Sequence, residues 1–220
     1  MSESVEETMG ITRERFNQGM TYDQFLDSMT KNRDRIEGYE AKVEISPDEV
    51  KFFKELRNPL DVAVVGADWC YDVLTNLPVL AKLAKQSGKL NLRIFERDQN
   101  PDVRDQYLNG PYQSIPVFVF FDENFQEIGH WIERPKSVTQ LRADKRREVI
   151  ASNPEFGSPD GSVDQLPEDV RAKLQAATSA SREDTVPWAN SEVVRELREL
   201  VESGLMAGAG RPLIRGNYQG

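Results

Sequence analysis

The segment from Asp61 to Gly66 constrains the fold more than any other part of this 220-residue sequence. It reads Asp-Val-Ala-Val-Val-Gly, a short apolar run that is rich in β-branched residues and has no alternating polar positions. Such a run predicts a strand that is buried on both faces. The chain is therefore expected to build a sheet that helices cover on both sides.

Capping residues and apolar spacing predict the elements around this strand. A helix begins at Ser46, which can cap it while Glu49 reaches back, and a longer helix follows Cys70. Next come a strand over 90–95, a short helix over 102–108, strands over 116–121 and 127–132, and a helix over 137–150. The early strand–helix–strand unit implies a parallel pair, and the later hairpin is antiparallel. An α/β fold with a mixed sheet of about four strands is predicted.

Helical segments are also predicted on both sides of this domain. Residues 21–37 are expected to form one amphipathic helix, which Thr21 and Gln24 open with a capping box. Residues 168–177 and 191–202 are expected to be helical, with Gly204 as a stop and Trp188 as an anchor on the domain. The expected division is an N-terminal helical extension (1–45), a domain (46–150), a linker (151–166) and a C-terminal helical tail (167–220). Residues 1–10 and 207–220 are expected to be flexible.

Charge and cysteine content limit the function classes. The net charge of -9 argues against general binding to nucleic acid or an anionic membrane, because both attract basic surfaces. No apolar run approaches the ~20 residues that cross a bilayer, and the first ten residues lack a secretory pattern. With one cysteine, Cys70, and one histidine, His130, neither an internal disulfide nor the usual zinc tetrahedron can be built. We expect a cytoplasmic protein without metal or cofactor.

Cys70 stands between the buried strand and the next helix, a position that favours reactivity. Unpaired backbone N–H groups and the positive end of the helix dipole both stabilise a thiolate there, and the thiolate is the nucleophile. Asp68 and Asp72 flank the thiol and are expected to raise its pKa, whereas Arg134 is expected to offset them. The alternatives are a buried, inert thiol for Cys70 and a solvated surface charge for Arg134.

Three features, in this order, resemble the thioredoxin family. They are Trp69-Cys70 after a strand, Pro78 in the following helix, and Ile115-Pro116 at the start of the hairpin. The resemblance spans about 46–150, and each feature is weak alone while the ordered set is fairly specific. The stretches Asp68-Trp69-Cys70-Tyr71-Asp72 and Asn76-Leu77-Pro78 are also similar to a bacterial branch with an N-terminal helical extension.

The resemblance implies a thioredoxin-like fold in which Cys70 faces Pro116 across a shallow groove. Cys70 would be the nucleophile, and Trp69, Tyr71, Ile115 and Pro116 would line the groove. In the family, the backbone before a cis-proline pairs with the extended chain of a partner.

Two departures from the family limit this transfer. The second cysteine of the family's Cys-x-x-Cys motif is Val73 here, and the acid that many members carry six residues before the nucleophile is Val64. A dithiol cycle within one chain is therefore impossible.

Three functions remain open for a thioredoxin-like chain with one cysteine. The first is a monothiol thiol–disulfide oxidoreductase, in which Cys70 forms a mixed disulfide with a protein or low-molecular-weight partner and an external thiol resolves it. The second is a protein-binding module without turnover, whose binding survives Cys70→Ser. The third hypothesis is an iron–sulfur cluster held between two chains with an added thiol ligand, which would colour the protein.

Overall fold

A computed structural model describes residues 10–207 of the chain. Its centre is a four-stranded sheet in the order β2-β1-β3-β4. The strands are β1 (Leu60–Gly66), β2 (Leu90–Glu96), β3 (Val117–Phe121) and β4 (Glu127–Ile132). β1 runs parallel to β2, whereas β3 is antiparallel to both β1 and β4. The mixed four-stranded sheet predicted from the sequence is confirmed.

The two central strands are buried because they are apolar on both faces. Every residue of β3 is buried, and in β1 only Asp61 is partly exposed. Phe118 of β3 stacks on Trp131 of β4 with ring centroids 5.0 Å apart. Full burial of such a side chain contributes about 1.5–3 kcal/mol, so these strands form the centre of the main core.

Helices pack around this sheet. They are α1 (Arg13–Phe16), α2 (Tyr22–Ser28), α3 (Arg33–Lys42), α4 (Pro47–Lys54), α5 (Tyr71–Ser87), α6 (Pro101–Arg104), α7 (Lys136–Ala151), α8 (Glu168–Glu183) and α9 (Val186–Ala207). Across residues 10–207, no helix has the length and apolar character needed to cross a membrane.

The N-terminal helical segment differs from the sequence-based prediction. The predicted capping box is present, since Thr21 Oγ1 accepts from Gln24 N at 3.2 Å and Thr21 N donates to Gln24 Oε1 at 2.8 Å. The single helix predicted over 21–37 is wrong, because the chain leaves the helix after Ser28 and restarts at Arg33. Asn32 adopts the left-handed conformation with φ of 59°, which asparagine tolerates better than most residues.

The C-terminal helix also corrects two expectations. Gly204 does not end α9, which continues to Ala207. Instead, a Cβ at Gly204 would lie 2.3 Å from the Ile128 carbonyl oxygen, so the glycine allows α9 to lie directly against the backbone of β4. Trp188 is 41% exposed and does not anchor the helix. The buried residues of α9 that join the main core are Val186, Val193, Val194, Leu197 and Val201.

Residues 151–166 contain two 3-10 turns, Pro154–Phe156 and Val163–Gln165. Phe156 is buried there with Ile150 and Leu174 in a small second core between α7 and α8. The flexible ends expected over 1–10 and 207–220 lie outside the described residues, apart from Gly10 and Ala207.

Candidate thiol site

The register of the sheet brings Cys70 and Pro116 to the same edge. Val65 near the end of β1 pairs with Val117 at the start of β3, so the residues after β1 and before β3 meet. The Cys70 thiol donates to the carbonyl oxygen of Ile115 at 3.5 Å. The Ile115–Pro116 peptide bond is cis. The structure therefore joins the two parts of the site that lie 45 residues apart in the chain.

The two aromatic neighbours of Cys70 point to different surroundings. Trp69 is 46% exposed, and the Arg97 guanidinium lies 4.5 Å from its ring centroid. Tyr71 is partly buried, and its ring packs edge-on to Tyr39 at 6.2 Å. The Arg142 guanidinium lies 5.4 Å from the same ring. Trp69 thus offers contact area beside the thiol, whereas Tyr71 contacts α3 and α7.

Where other family members have a second cysteine, this chain has a valine that belongs to the hydrophobic core. Val73 lies in the first turn of α5 and is fully buried. A Cβ at Gly66 would lie 3.2 Å from Val73 Cγ1, so this side chain packs closely against the end of β1. Pro78 is also buried, inside α5, which continues unbroken from Tyr71 to Ser87. Among residues 10–207, Cys70 therefore has no second thiol to form a disulfide with.

Asp72 is the centre of a buried ion-pair network beside the thiol. Its carboxylate accepts from Arg134 Nε at 3.1 Å and from Arg142 Nη1 at 2.7 Å. Arg134 also pairs with Glu133. Arg142 lies in α7, 70 residues after Asp72 in the chain. No local sequence pattern marks it as part of the site, so the sequence did not predict it.

Opposing effects act on the ionisation of Cys70. Burial raises the pKa of the thiol most strongly, and the negative charge of Asp72 raises it further. The backbone N–H groups of Val73 and Asp72 and the positive charge of Arg134 lower the pKa. Burial prevails, so the pKa of Cys70 lies above its ordinary value and the neutral thiol predominates at pH 7.

Two hydrogen bonds hold the loop after β4 next to the same site. Glu133 has a left-handed backbone with φ of 69°, and its N–H donates to the Pro116 carbonyl oxygen at 2.7 Å. The side-chain amide of Asn76 in α5 donates to the Glu133 carbonyl oxygen at 2.9 Å. These bonds fix the loop so that the next residue, Arg134, reaches Asp72.

The N-terminal helices hold the loop on the other side of Cys70. The carboxylate of Asp68 accepts from Thr30 N at 2.8 Å, Thr30 Oγ1 at 3.1 Å and Lys31 N at 3.0 Å. Asn32 Nδ2 donates to the Asp68 carbonyl oxygen at 2.9 Å. The sequence assigns Asp68 an effect on the thiol, but its carboxylate is engaged with the segment between α2 and α3. We call these contacts the Asp68 clamp.

Within the described residues, 10–207, no three His, Cys, Asp or Glu side chains are grouped so that they could hold a metal ion.

The sheet order, together with a cysteine and a proline side by side at its edge, defines a thioredoxin-like protein. A family model described as Thioredoxin matches residues 19–146, which is more than half of the chain. The chain therefore belongs to the thioredoxin family. Because the match begins at residue 19, it includes α2 and α3 as well as the sheet.

Comparisons with solved structures support the same fold. A protein of unknown function from Pseudomonas aeruginosa is 16% identical, with a TM-score of 0.55 over 85% of this chain and 94% of that one. An HIV epitope-scaffold is also 16% identical, with a TM-score of 0.57 over 88% of this chain and 98% of that one. At this identity the likeness concerns the fold alone. A comparison with curated proteins gives no match.

Proposed function

We propose that this chain is a monothiol thiol–disulfide oxidoreductase. The observation that carries the proposal is the 3.5 Å contact between the Cys70 thiol and the Ile115 carbonyl oxygen. In the thioredoxin family, the backbone at that position pairs with an extended partner chain by strand addition. A partner bound in this way would bring its disulfide to Cys70, and the exposed ring of Trp69 would provide apolar contact area.

The exchange proceeds in two steps. The Cys70 thiolate attacks one sulfur of a partner disulfide, a mixed disulfide forms, and the other partner sulfur leaves as a thiolate that takes a proton. The thiolate of an external thiol then attacks the partner sulfur of the mixed disulfide, and Cys70 leaves as a thiolate. The external step is required because Val73 occupies the place of a resolving cysteine.

The proposal includes a reducing, cytoplasmic setting and a protein or low-molecular-weight disulfide as the partner. One cysteine and a net charge of -9 support this setting and the exclusion of nucleic acid as a general partner. Cys70 chemistry of this kind needs no cofactor. The bacterial branch remains part of the resemblance on which the proposal draws.

A second candidate is a protein-binding module that keeps the groove without turnover. The raised pKa of Cys70 favours it, because a mostly neutral thiol attacks disulfides slowly at pH 7. The buried Val73 favours it as well, since the chain lacks its own resolving thiol.

Stopped-flow exchange with an aromatic disulfide distinguishes the two candidates. The reduced protein is expected to release one aromatic thiol per chain. An added external thiol should then attack the aromatic sulfur and regenerate Cys70, and a second equivalent should cleave the resulting mixed disulfide and release the second aromatic thiol. Cys70→Ser provides the blank. Slow single labelling without regeneration, together with partner-peptide binding that survives Cys70→Ser, would establish the binding module instead.

A matched pair of cysteine variants tests whether the missing resolving thiol limits exchange. Val73→Cys places a second thiol three residues after Cys70 and is expected to form an internal disulfide after the first attack. Val79→Cys is equally buried on α5 but stands six residues further along the helix, so it should leave the exchange unchanged. Equal rates in both variants would show that resolution does not limit the cycle.

A further inference from the structure

A cleft beside the thiol site is lined by positive charges. It lies against α7 and α8, and its cations are Arg142, Lys145, Arg146 and Arg182. None of its lining residues within the described part of the chain is acidic. The cleft encloses about 40 Å³, room for a few water-sized groups, and is partly open to solvent. Four cations around one cleft stand out in a chain whose net charge is -9.

The nearby carboxylates neutralise these four cations only in part. Asp72 pairs with Arg142 but is shared with Arg134. Glu183, next to Arg182 in sequence, accepts instead from the Tyr39 hydroxyl at 2.5 Å and lies 3.6 Å from Arg35.

Two guanidinium groups of the cleft keep unused hydrogen-bonding capacity. Among residues 10–207, no carboxylate lies within ion-pair distance of Arg146 or Arg182, whereas Lys145 pairs with Glu148 at 2.9 Å. The Arg142 Nε–H is buried and has no acceptor. Burial lowers the pKa of Arg182 most, and the charge of Arg142 lowers it further, while Asp72 acts in the opposite direction.

We propose that this cleft binds an oxyanion, the phosphate or carboxylate group of a ligand, through Arg146 and Arg182. The planar guanidinium donates two parallel hydrogen bonds to either group, which a point charge cannot do. Arg142 supplies further positive charge from the wall of the cleft. Cys70 is not among the lining residues, so this site is distinct from the thiol site, and Arg142 links the two through its ion pair with Asp72.

Isothermal titration calorimetry of the full-length protein tests the proposal, with inorganic phosphate, citrate and chloride as probes at constant ionic strength. Phosphate or citrate is expected to bind one site per chain, and chloride is not. Binding of phosphate alone assigns a phosphate ligand, and binding of citrate alone assigns a carboxylate. Equal heats for all three salts, or no heat for any, would overturn the proposal.

Variants separate this site from a general surface effect. Arg182→Gln is expected to weaken binding by about tenfold or more, the usual effect of losing a charge-assisted hydrogen bond. Arg171→Gln changes an exposed arginine of the same helix outside the cleft and should leave binding unchanged. Cys70→Ser should also bind normally. Loss of binding in Arg171→Gln, or its retention in Arg182→Gln, would refute the assignment.

A stability readout guards against a variant that simply misfolds. Without ligand, Arg182→Gln is expected to unfold cooperatively, because it loses the contact with the Tyr71 ring but also the repulsion from Arg142. Loss of binding in a variant that still unfolds cooperatively would assign the effect to the site, and retained binding in such a variant would overturn the proposal.

Discussion

The ionisation of Cys70 is set by its burial and by charges that belong to different parts of the chain. Asp72 stands two residues away in the first turn of α5, whereas Arg134 lies on the loop after β4. Because burial raises the pKa, exchange at Cys70 is expected to accelerate with pH and to keep rising beyond ~8.5, the midpoint of an ordinary cysteine. A rate that levels off below pH 7 would contradict this balance.

Asp72→Asn is expected to lower the pKa of Cys70. The substitution removes a negative charge that raises the pKa and leaves the positive charge of Arg134 that lowers it. Arg134→Gln should act in the opposite direction. The measurement is the pH profile of iodoacetamide alkylation, with Cys70→Ser as the blank and circular dichroism as a check on folding. Profiles that coincide for both variants would exclude electrostatic tuning by this pair.

At the level of single residues, the sequence predicts only part of the thiol site and of the cleft beside it. Cys70 and Pro116 are found because their neighbours form short patterns beside predictable strands. Arg142 and Arg182 are not found, because they meet Asp72 and Tyr71 only through the packing of α7 and α8, 70 and more residues away. Their helices show ordinary surface charge patterns, so the sequence carries no local signal for a shared cleft.

Among the elements, α9 depends on a close approach that only glycine permits. The 2.3 Å distance from a Cβ at Gly204 to the Ile128 carbonyl oxygen means that Gly204→Ala must push α9 away from β4. Thermal and urea unfolding are expected to show a loss of about 1–3 kcal/mol, as for other overpacked sites. Gly38→Ala is the control, since Gly38 is an exposed position of α3 where a Cβ meets nothing within 4 Å. It should stabilise the protein by about 0.5–1 kcal/mol.

Element boundaries follow the sequence wherever a local cap decides them. Thr21 opens α2 and Ser46 opens α4 as predicted, because each side chain accepts from a backbone N–H three residues on. The break before Asn32 is missed because the residues around it include neither Gly nor Pro. Its cause lies elsewhere in the fold, where Asp68 binds Thr30 and Lys31. The prediction that Gly204 ends α9 fails for a related reason. The glycine is needed for contact with β4, a strand that lies far away in sequence.

Across the whole molecule, α9 belongs to the same core as the sheet. Val193, Leu197 and Val201 are fully buried in that core. The division at 150 and 166 predicted from the sequence would give a domain that ends before these residues. We expect a chain of residues 1–166 to lose cooperative thermal unfolding and to be cleaved rapidly by protease, because β4 and α5 would be uncovered. Unfolding like that of the full chain would support the predicted division.

The bond between Tyr39 and Glu183 joins α3 to α8 across 144 residues. Tyr71, the residue after the thiol, lies beneath both helices through its contacts with Tyr39 and Arg182. Protein synthesis delivers these parts from the N-terminus onward. The Asp68 clamp can close early, but the cover over Tyr71 is complete only when α8 has emerged from the ribosome. Until then the Tyr71 ring beside Cys70 lacks its contact with Arg182, and Tyr39 lacks its bond to Glu183.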